Sequence, residues 1–136
     1  MNEFDLELAR SFHGHVGPFL ALGMLIGAHT MKLLNARKHF GVKVIVHCPP
    51  KPPASCILDG IQLSTGATYG KRNIELIPSD EIKVEVSNTD SGQCVRVLVR
   101  AQAVERMLSW LKELGDEGAA MKVLSCGLEL IEVISQ

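Results

Sequence analysis

Four prolines within five residues restrict the fold of this chain more than any other feature. They occupy positions 49, 50, 52 and 53, shortly after a β-branched run from Val42 to His47. Proline has no amide hydrogen to donate to a sheet or a helix, and its ring fixes the backbone angle φ. We therefore predict that a strand ends here, that the prolines form a stiff extended connector, and that a helix begins after Pro53.

Hydrophobic periodicity on both sides of the connector predicts helices and strands together. Pro18 suits the first position of a long helix, where the amide it lacks would be unpaired. Gly23 and Gly27 lie four residues apart on that helix and predict a close backbone contact, either at a helix crossing or in a dimer. The apolar run at 128–134 fits either a helix or an edge strand. Predicted helices are 6–12, 18–37, 54–63, 102–114 and 119–126, and predicted strands are 42–47, 74–77, 82–86 and 94–99, the last two forming an antiparallel hairpin.

Length and composition narrow the class of protein. A chain of 136 residues has the size of one domain, and fourteen basic against fifteen acidic side chains create no field that would attract nucleic acid. The most apolar run is shorter than the roughly 20 residues that span a bilayer. Four cysteines without a CxxC pair indicate reduced thiols. We expect a single cytoplasmic domain that binds neither nucleic acid nor membrane.

Three residues after the connector could do chemistry together. Cys56 falls in the first turn of the predicted helix, where exposed amides and the helix dipole favour a thiolate. Asp59 and Gln62 follow at steps of three residues and share adjoining parts of one helical face. Cys56 and Asp59 are therefore the catalytic candidates, while a buried cysteine that only fills the core remains an alternative.

His13-Gly14-His15 lies at the junction of the first two predicted helices. In a turn the two imidazoles can point the same way, and with Cys56 they would supply three nitrogen and sulfur ligands. Such a set leaves one position open to water or substrate, as in many zinc sites. The alternative is that each histidine only hydrogen-bonds a nearby carbonyl. His29, His39 and His47 are isolated, and we interpret them as structural or solvated.

The polar loop 64–71 is a further candidate by composition. Thr68 and Lys71 could line a small-molecule pocket with Gln62, and Lys71 could bind an anion or be merely solvated. The loop does not have the spacing of a Walker phosphate loop.

Two long segments resemble the FmdE family, which takes its name from a component of formylmethanofuran dehydrogenase. They read FHGHVGPFLALG from Phe12 and PPKPPASCILDGIQ from Pro49, the second continuing as STGATYGK from Ser64. The resemblance implies an α+β fold, a single domain with a mostly antiparallel sheet packed against several helices, that is typically dimeric. It also implies that His13, His15, Cys56, Asp59 and Gln62 are the site residues.

The chain departs from this family pattern in two respects. Many relatives carry a cysteine at the position of Ala67, and some carry one at the position of Gly17, so this chain lacks a cysteine pair there. Many relatives also continue into a cysteine-rich zinc finger, and we expect none here because there is no CxxC pair.

Three hypotheses follow from the residues and the resemblance. The first is a homodimeric, zinc-binding accessory protein of one-carbon metabolism, associated with a molybdenum or tungsten enzyme, with His13, His15 and Cys56 as ligands. The second is a metal-dependent enzyme acting on a small carbonyl or formyl substrate, with Asp59 as base, Lys71 as anion anchor and a deep pocket. The third is a metal-free interaction domain in which the histidines hydrogen-bond the proline connector.

Overall fold

A five-stranded sheet with helices packed against one face forms the framework of the α+β fold. The computed structural model describes residues 4–136. In chain order the helices are α1 (Leu6–His13), α2 (Pro18–Leu34), α3 (Ile57–Thr65) and α4 (Ala101–Cys126), and the strands are β1 (Val42–Cys48), β2 (Ile74–Pro78), β3 (Ile82–Asn88), β4 (Cys94–Val99) and β5 (Glu132–Ser135). Short 3-10 turns precede α3 at Ala54–Cys56 and β5 at Gly127–Leu130.

The strand order is β2-β1-β3-β4-β5, and each neighbouring pair is antiparallel except β1 with β2. Val44 and Val46 of β1 stand opposite Val86 and Val84 of β3, and all four are fully buried on the helix-covered face. Alternation of buried and partly exposed residues along these strands is what a sheet with one covered face requires. The predicted β3–β4 hairpin is confirmed, and the apolar run near the C-terminus ends in the edge strand β5.

Helix α2 forms the centre of the helical layer and ends three residues earlier than predicted. It begins at Pro18 as expected, but Asn35 adopts the left-handed conformation at φ 48° and its amide bonds the Lys32 and Met31 carbonyls. Asparagine tolerates this conformation better than other residues with a side chain, and it terminates helices in the way glycine does. Our prediction that the helix continues to Arg37 was therefore wrong.

The proline connector is bent where an extended segment was predicted. Its last residues turn into the 3-10 helix, because the Ser55 amide donates to the Lys51 carbonyl and the Cys56 amide donates to the Pro53 carbonyl. Proline fits the early positions of such turns as well as it fits an extended chain. Helix α3 accordingly begins at Ile57, after this turn.

The glycines of α2 allow α3 to cross it at close range. A Cβ atom on Gly23 would lie 2.2 Å from the Ile57 carbonyl oxygen, and one on Gly60 would lie 2.1 Å from the Leu20 carbonyl oxygen. The close contact predicted from Gly23 and Gly27 is thus a helix crossing within the chain. This face of α2 is occupied and is no evidence for a dimer.

Helix α4 consists of two arms joined at Gly115, in agreement with the two helices predicted for this region. Gly115 has φ 77° and ψ −178°, a conformation that only glycine adopts readily. The second arm therefore begins at Asp116 in a new direction. Among residues 4–136, no helix combines the length and apolarity needed to cross a membrane.

Candidate functional site

The turn between α1 and α2 brings the two histidines together. Helix α1 ends at His13, and Gly14 follows in the left-handed conformation at φ 100° with its amide bonded to the Arg10 carbonyl. The imidazole rings of His13 and His15 lie 4.8 Å apart between centroids and are tilted by 39°. Both rings therefore face the same small region of space.

His13 is anchored at one ring nitrogen and unpaired at the other. Its Nδ1 lies 2.5 Å from Oδ2 of Asp59 on α3. The side chain is only 9% exposed, and its Nε2 is buried with no hydrogen-bond partner among the described residues. Leaving a buried polar group unpaired costs about 1–3 kcal/mol, so such an atom calls for an explanation.

Gln62 connects this pair to the loop that follows α3. Its Nε2 donates to Asp59 Oδ1 at 3.4 Å, and its Oε1 accepts from the Tyr69 amide at 2.9 Å. Thr68 and Lys71, the other two residues predicted to line a pocket, contact each other instead. The Lys71 amide and ammonium both donate to Thr68 Oγ1, at 3.1 and 3.0 Å. Of the three, Gln62 is the one whose side chain contacts Asp59.

Cys56 ends the 3-10 turn before α3 and is half-buried. Burial, followed by the negative charges of Asp59 and Asp116, raises the pKa of its thiol. Our expectation that the helix N-terminus favours the thiolate was therefore wrong for the protein alone, since desolvation and two carboxylates outweigh the dipole. The same charges would attract a cation.

Asp116 is a site residue that the sequence reasoning missed. It starts the second arm of α4, and its Oδ2 lies 3.3 Å from His15 Nδ1. Both side chains are about half exposed, at 51% for His15 and 53% for Asp116. The available signal was an acidic residue directly after Gly115, where the helical pattern breaks, but nothing local indicated that it would meet His15.

Gly17 opens onto the same place. A Cβ atom there would lie 3.5 Å from His15 Cε1 and 3.7 Å from Asp116 Oδ1, which are ordinary contact distances. The position where some relatives carry a cysteine therefore faces the His15–Asp116 pair. Ala67, the other such position, is fully buried in the loop after α3.

The donor set fits a metal in chemistry but is not closed around one in this conformation. Imidazole nitrogens and a thiol are the groups that zinc prefers, and the buried unpaired His13 Nε2 is a free donor atom. As the side chains stand, no three histidine, cysteine, aspartate or glutamate residues within 4–136 are close enough to hold one ion. A cavity of about 520 Å³ lies at the other end of the helical layer, between the start of α1 and the last turns of α2 and α3.

Residues 12–128 match the model of a family described as FmdE, molybdenum formylmethanofuran dehydrogenase operon. The chain belongs to this family. A relative from Archaeoglobus fulgidus, named "Probable S-adenosyl-L-methionine-binding protein", is 29% identical to the FmdE-family chain over 107 residues. The alignment covers 74% of this chain but 28% of that protein, so the chain spans less than a third of its relative's length.

The crystal structure of a tungsten formylmethanofuran dehydrogenase FmdE-like protein from Syntrophus aciditrophicus has the same fold. It superposes with a TM-score of 0.59 at 22% identity, covering 96% of this chain and 71% of that one. At this identity the likeness extends to the fold alone.

Proposed function

We propose that this FmdE-family domain is a metal-binding accessory protein in which His13, His15 and Cys56 hold a zinc ion. The observation that carries the proposal is the buried, unpaired Nε2 of His13 beside the ring of His15. A folded protein retains such an atom at a cost, and metal coordination would offset that cost.

Asp59 gives His13 the form that a metal ligand needs. A neutral imidazole carries one proton, and a carboxylate that accepts it at Nδ1 leaves the lone pair on Nε2. Histidines that bind zinc in proteins commonly have this arrangement, which fixes the ring and raises the basicity of the donor atom. Gln62 in turn holds Asp59 at its other oxygen.

Closing the site requires movement of side chains. His13 is fixed, whereas His15 is half exposed and Cys56 is half-buried, so rotation about their side-chain bonds can turn their donor atoms toward His13 Nε2. When bound, zinc would supply a Lewis acid with one position open to a water or a small ligand. Asp59 and Asp116 would partly balance its charge.

The contacts of Asp59 and Lys71 support an accessory role over catalysis by these residues. Asp59 is held by His13 and Gln62, and Lys71 is held by Thr68. We therefore propose that the domain serves a molybdenum or tungsten enzyme of one-carbon metabolism, as a homodimer, and does not itself transform a formyl substrate. In a metal-free interaction domain, by contrast, the histidines would bond the proline connector, whereas here their carboxylate partners are Asp59 and Asp116.

Elemental analysis of protein purified without a tag or added metal tests the proposal, together with a Zn²⁺ titration against a chromophoric chelator. We expect about one zinc per chain in the wild type, and loss of binding in His13→Ala. His29→Ala is the matched control, because His29 is a partly buried histidine in the second half of α2, and it should bind zinc like the wild type. Circular dichroism checks that each variant is folded. Wild-type protein that neither contains nor takes up zinc would reject the proposal and favour the interaction domain.

A further inference from the structure

Two histidine–carboxylate pairs stand side by side at the turn between α1 and α2. In each, the Nδ1 atom of the ring faces an aspartate from another helix: His13 faces Asp59 of α3, and His15 faces Asp116 of α4. The first pair is buried and short, at 2.5 Å, and the second is half exposed and longer, at 3.3 Å. The two pairs therefore have the same chemical arrangement in different environments.

The backbone of α4 is shaped in a way that delivers Asp116 to this place. The chain changes its helical course at Gly115, whose φ of 77° would strain any residue with a side chain. The next residue after Asp116, Glu117, forms an ion pair with Arg10 of α1. One arm of α4 is thus attached to the helix that ends in His13, and Asp116 is held beside His15.

Two further observations place Asp116 within the site. The Cβ position of Gly17 lies between His15 and Asp116, in contact with both. The charge of Asp116 also reaches Cys56, whose thiol pKa it helps to raise. Asp116 therefore borders both the exposed histidine and the cysteine of the proposed ligand set.

We infer that Asp116 is a positioning residue that orients His15 through Nδ1, as Asp59 orients His13, so that both imidazoles present Nε2 to the metal. This inference rests on the proposed function for its second half only. The first half, the pairing of His15 with Asp116, is a property of the metal-free protein. A carboxylate that accepts the Nδ1 proton holds the ring in one tautomer and one orientation.

Nitrogen-15 NMR of the imidazoles in metal-free protein tests the pairing directly. At about two pH units above the ordinary histidine pKa of about 6.5, both rings are neutral and each tautomer has a distinct coupling pattern. We expect His15 to carry its proton on Nδ1 in the wild type and to shift toward the Nε2–H form in Asp116→Ala. The same substitution at Glu113, an exposed carboxylate of the first arm of α4, should leave the tautomer unchanged. An Nε2–H tautomer in the wild type, or the same tautomer in Asp116→Ala, would overturn the inference.

The effect on metal is measured by competition titration with Zn²⁺ alone. Loss of a carboxylate that orients a metal-binding histidine typically weakens binding about 10–100-fold, and we expect this for Asp116→Ala but not for Glu113→Ala. Because Asp116 acts through His15, the double variant His15→Ala/Asp116→Ala should bind no more weakly than His15→Ala. A further loss in the double variant would show that Asp116 acts on the metal directly and would overturn the positioning role. If wild-type protein binds no zinc, the proposed function fails, while the NMR result still decides whether Asp116 orients His15.

Discussion

Gly60→Ala is expected to destabilise the protein strongly, because α3 has no room for a methyl group where it crosses α2. The added Cβ would lie 2.1 Å from the Leu20 carbonyl oxygen and 2.7 Å from the Met24 amide nitrogen. Both atoms belong to the backbone of α2, so no side chain can move aside. Ordinary contacts between carbon and oxygen are about 3.3–3.6 Å, and the two helices would have to separate by roughly 1 Å or more.

The size of the loss follows from two opposing terms. Forcing extra carbon into a packed core costs about 1–3 kcal/mol, and the upper end applies here because two backbones must move apart. Alanine recovers about 1 kcal/mol through its higher helix propensity. The net loss should be about 2 kcal/mol, out of a total stability that is typically about 5–15 kcal/mol. Since α3 carries Asp59, zinc affinity should fall in the same variant.

Urea unfolding followed by circular dichroism measures this change. We expect a lower midpoint with an unchanged slope, because the surface exposed on unfolding stays the same. Gly70→Ala is the matched control: the nearest atom to its added Cβ would be Thr68 Oγ1 at 3.9 Å, so this variant should be as stable as the wild type or slightly more stable. If Gly60→Ala were as stable as Gly70→Ala, the close helix crossing would not be the constraint described here.

Gly17→Cys should raise zinc affinity without loss of stability, because a Cβ there meets His15 at an ordinary 3.5 Å; equal affinities of Gly17→Cys and Gly17→Ala in a competition titration would contradict this. Cys48 should resist iodoacetamide in the native state, because it is fully buried and burial raises its pKa to about 11, whereas the partly exposed Cys56 should react before it; mass spectrometry of labelled peptides gives the order, and earlier labelling of Cys48 would refute the reasoning. Glu85→Gln should make stability less sensitive to acid. The hydrogen bond with His47 lowers the pKa of Glu85, so its contribution is complete above the unfolded-state value of about 4.3 and is lost as pH falls through the lower folded value; parallel wild-type and variant curves from urea unfolding below pH 6 would argue against this.

Features determined by a few adjacent residues were predictable from the sequence. β-branched runs placed the strands, and Pro18 marked the start of α2. The end of α2 was not predictable from periodicity, because the residues around Ala36 continue a helical pattern while Asn35 turns the backbone to the left-handed region. At this position one backbone conformation outweighs the pattern of apolar residues.

Contacts between distant segments were predictable only in part. Gly23 and Gly27 indicated that another backbone lies close, but the sequence could not distinguish a neighbouring helix from a second copy of the chain. The partner is α3, and Gly60 supplies the complementary gap. Similarly, the loop composition indicated polar side chains at Thr68 and Lys71, but their hydrogen bond to each other depends on a turn that composition does not specify.

Local and long-range electrostatics oppose each other at Cys56, and this explains why its protonation state was misjudged. A helix N-terminus stabilises a thiolate by an effect confined to the first turn. The carboxylate of Asp116, sixty residues later in the chain, acts against it, as do burial and Asp59. Sequence spacing contains the first effect and none of the second, because Asp116 reaches the site only through the change of direction at Gly115. The bend at Gly115 therefore belongs to the site as much as the His13-Gly14-His15 turn does: without Gly115 the helix would continue past the histidines, and Asp116 would face neither His15 nor Cys56.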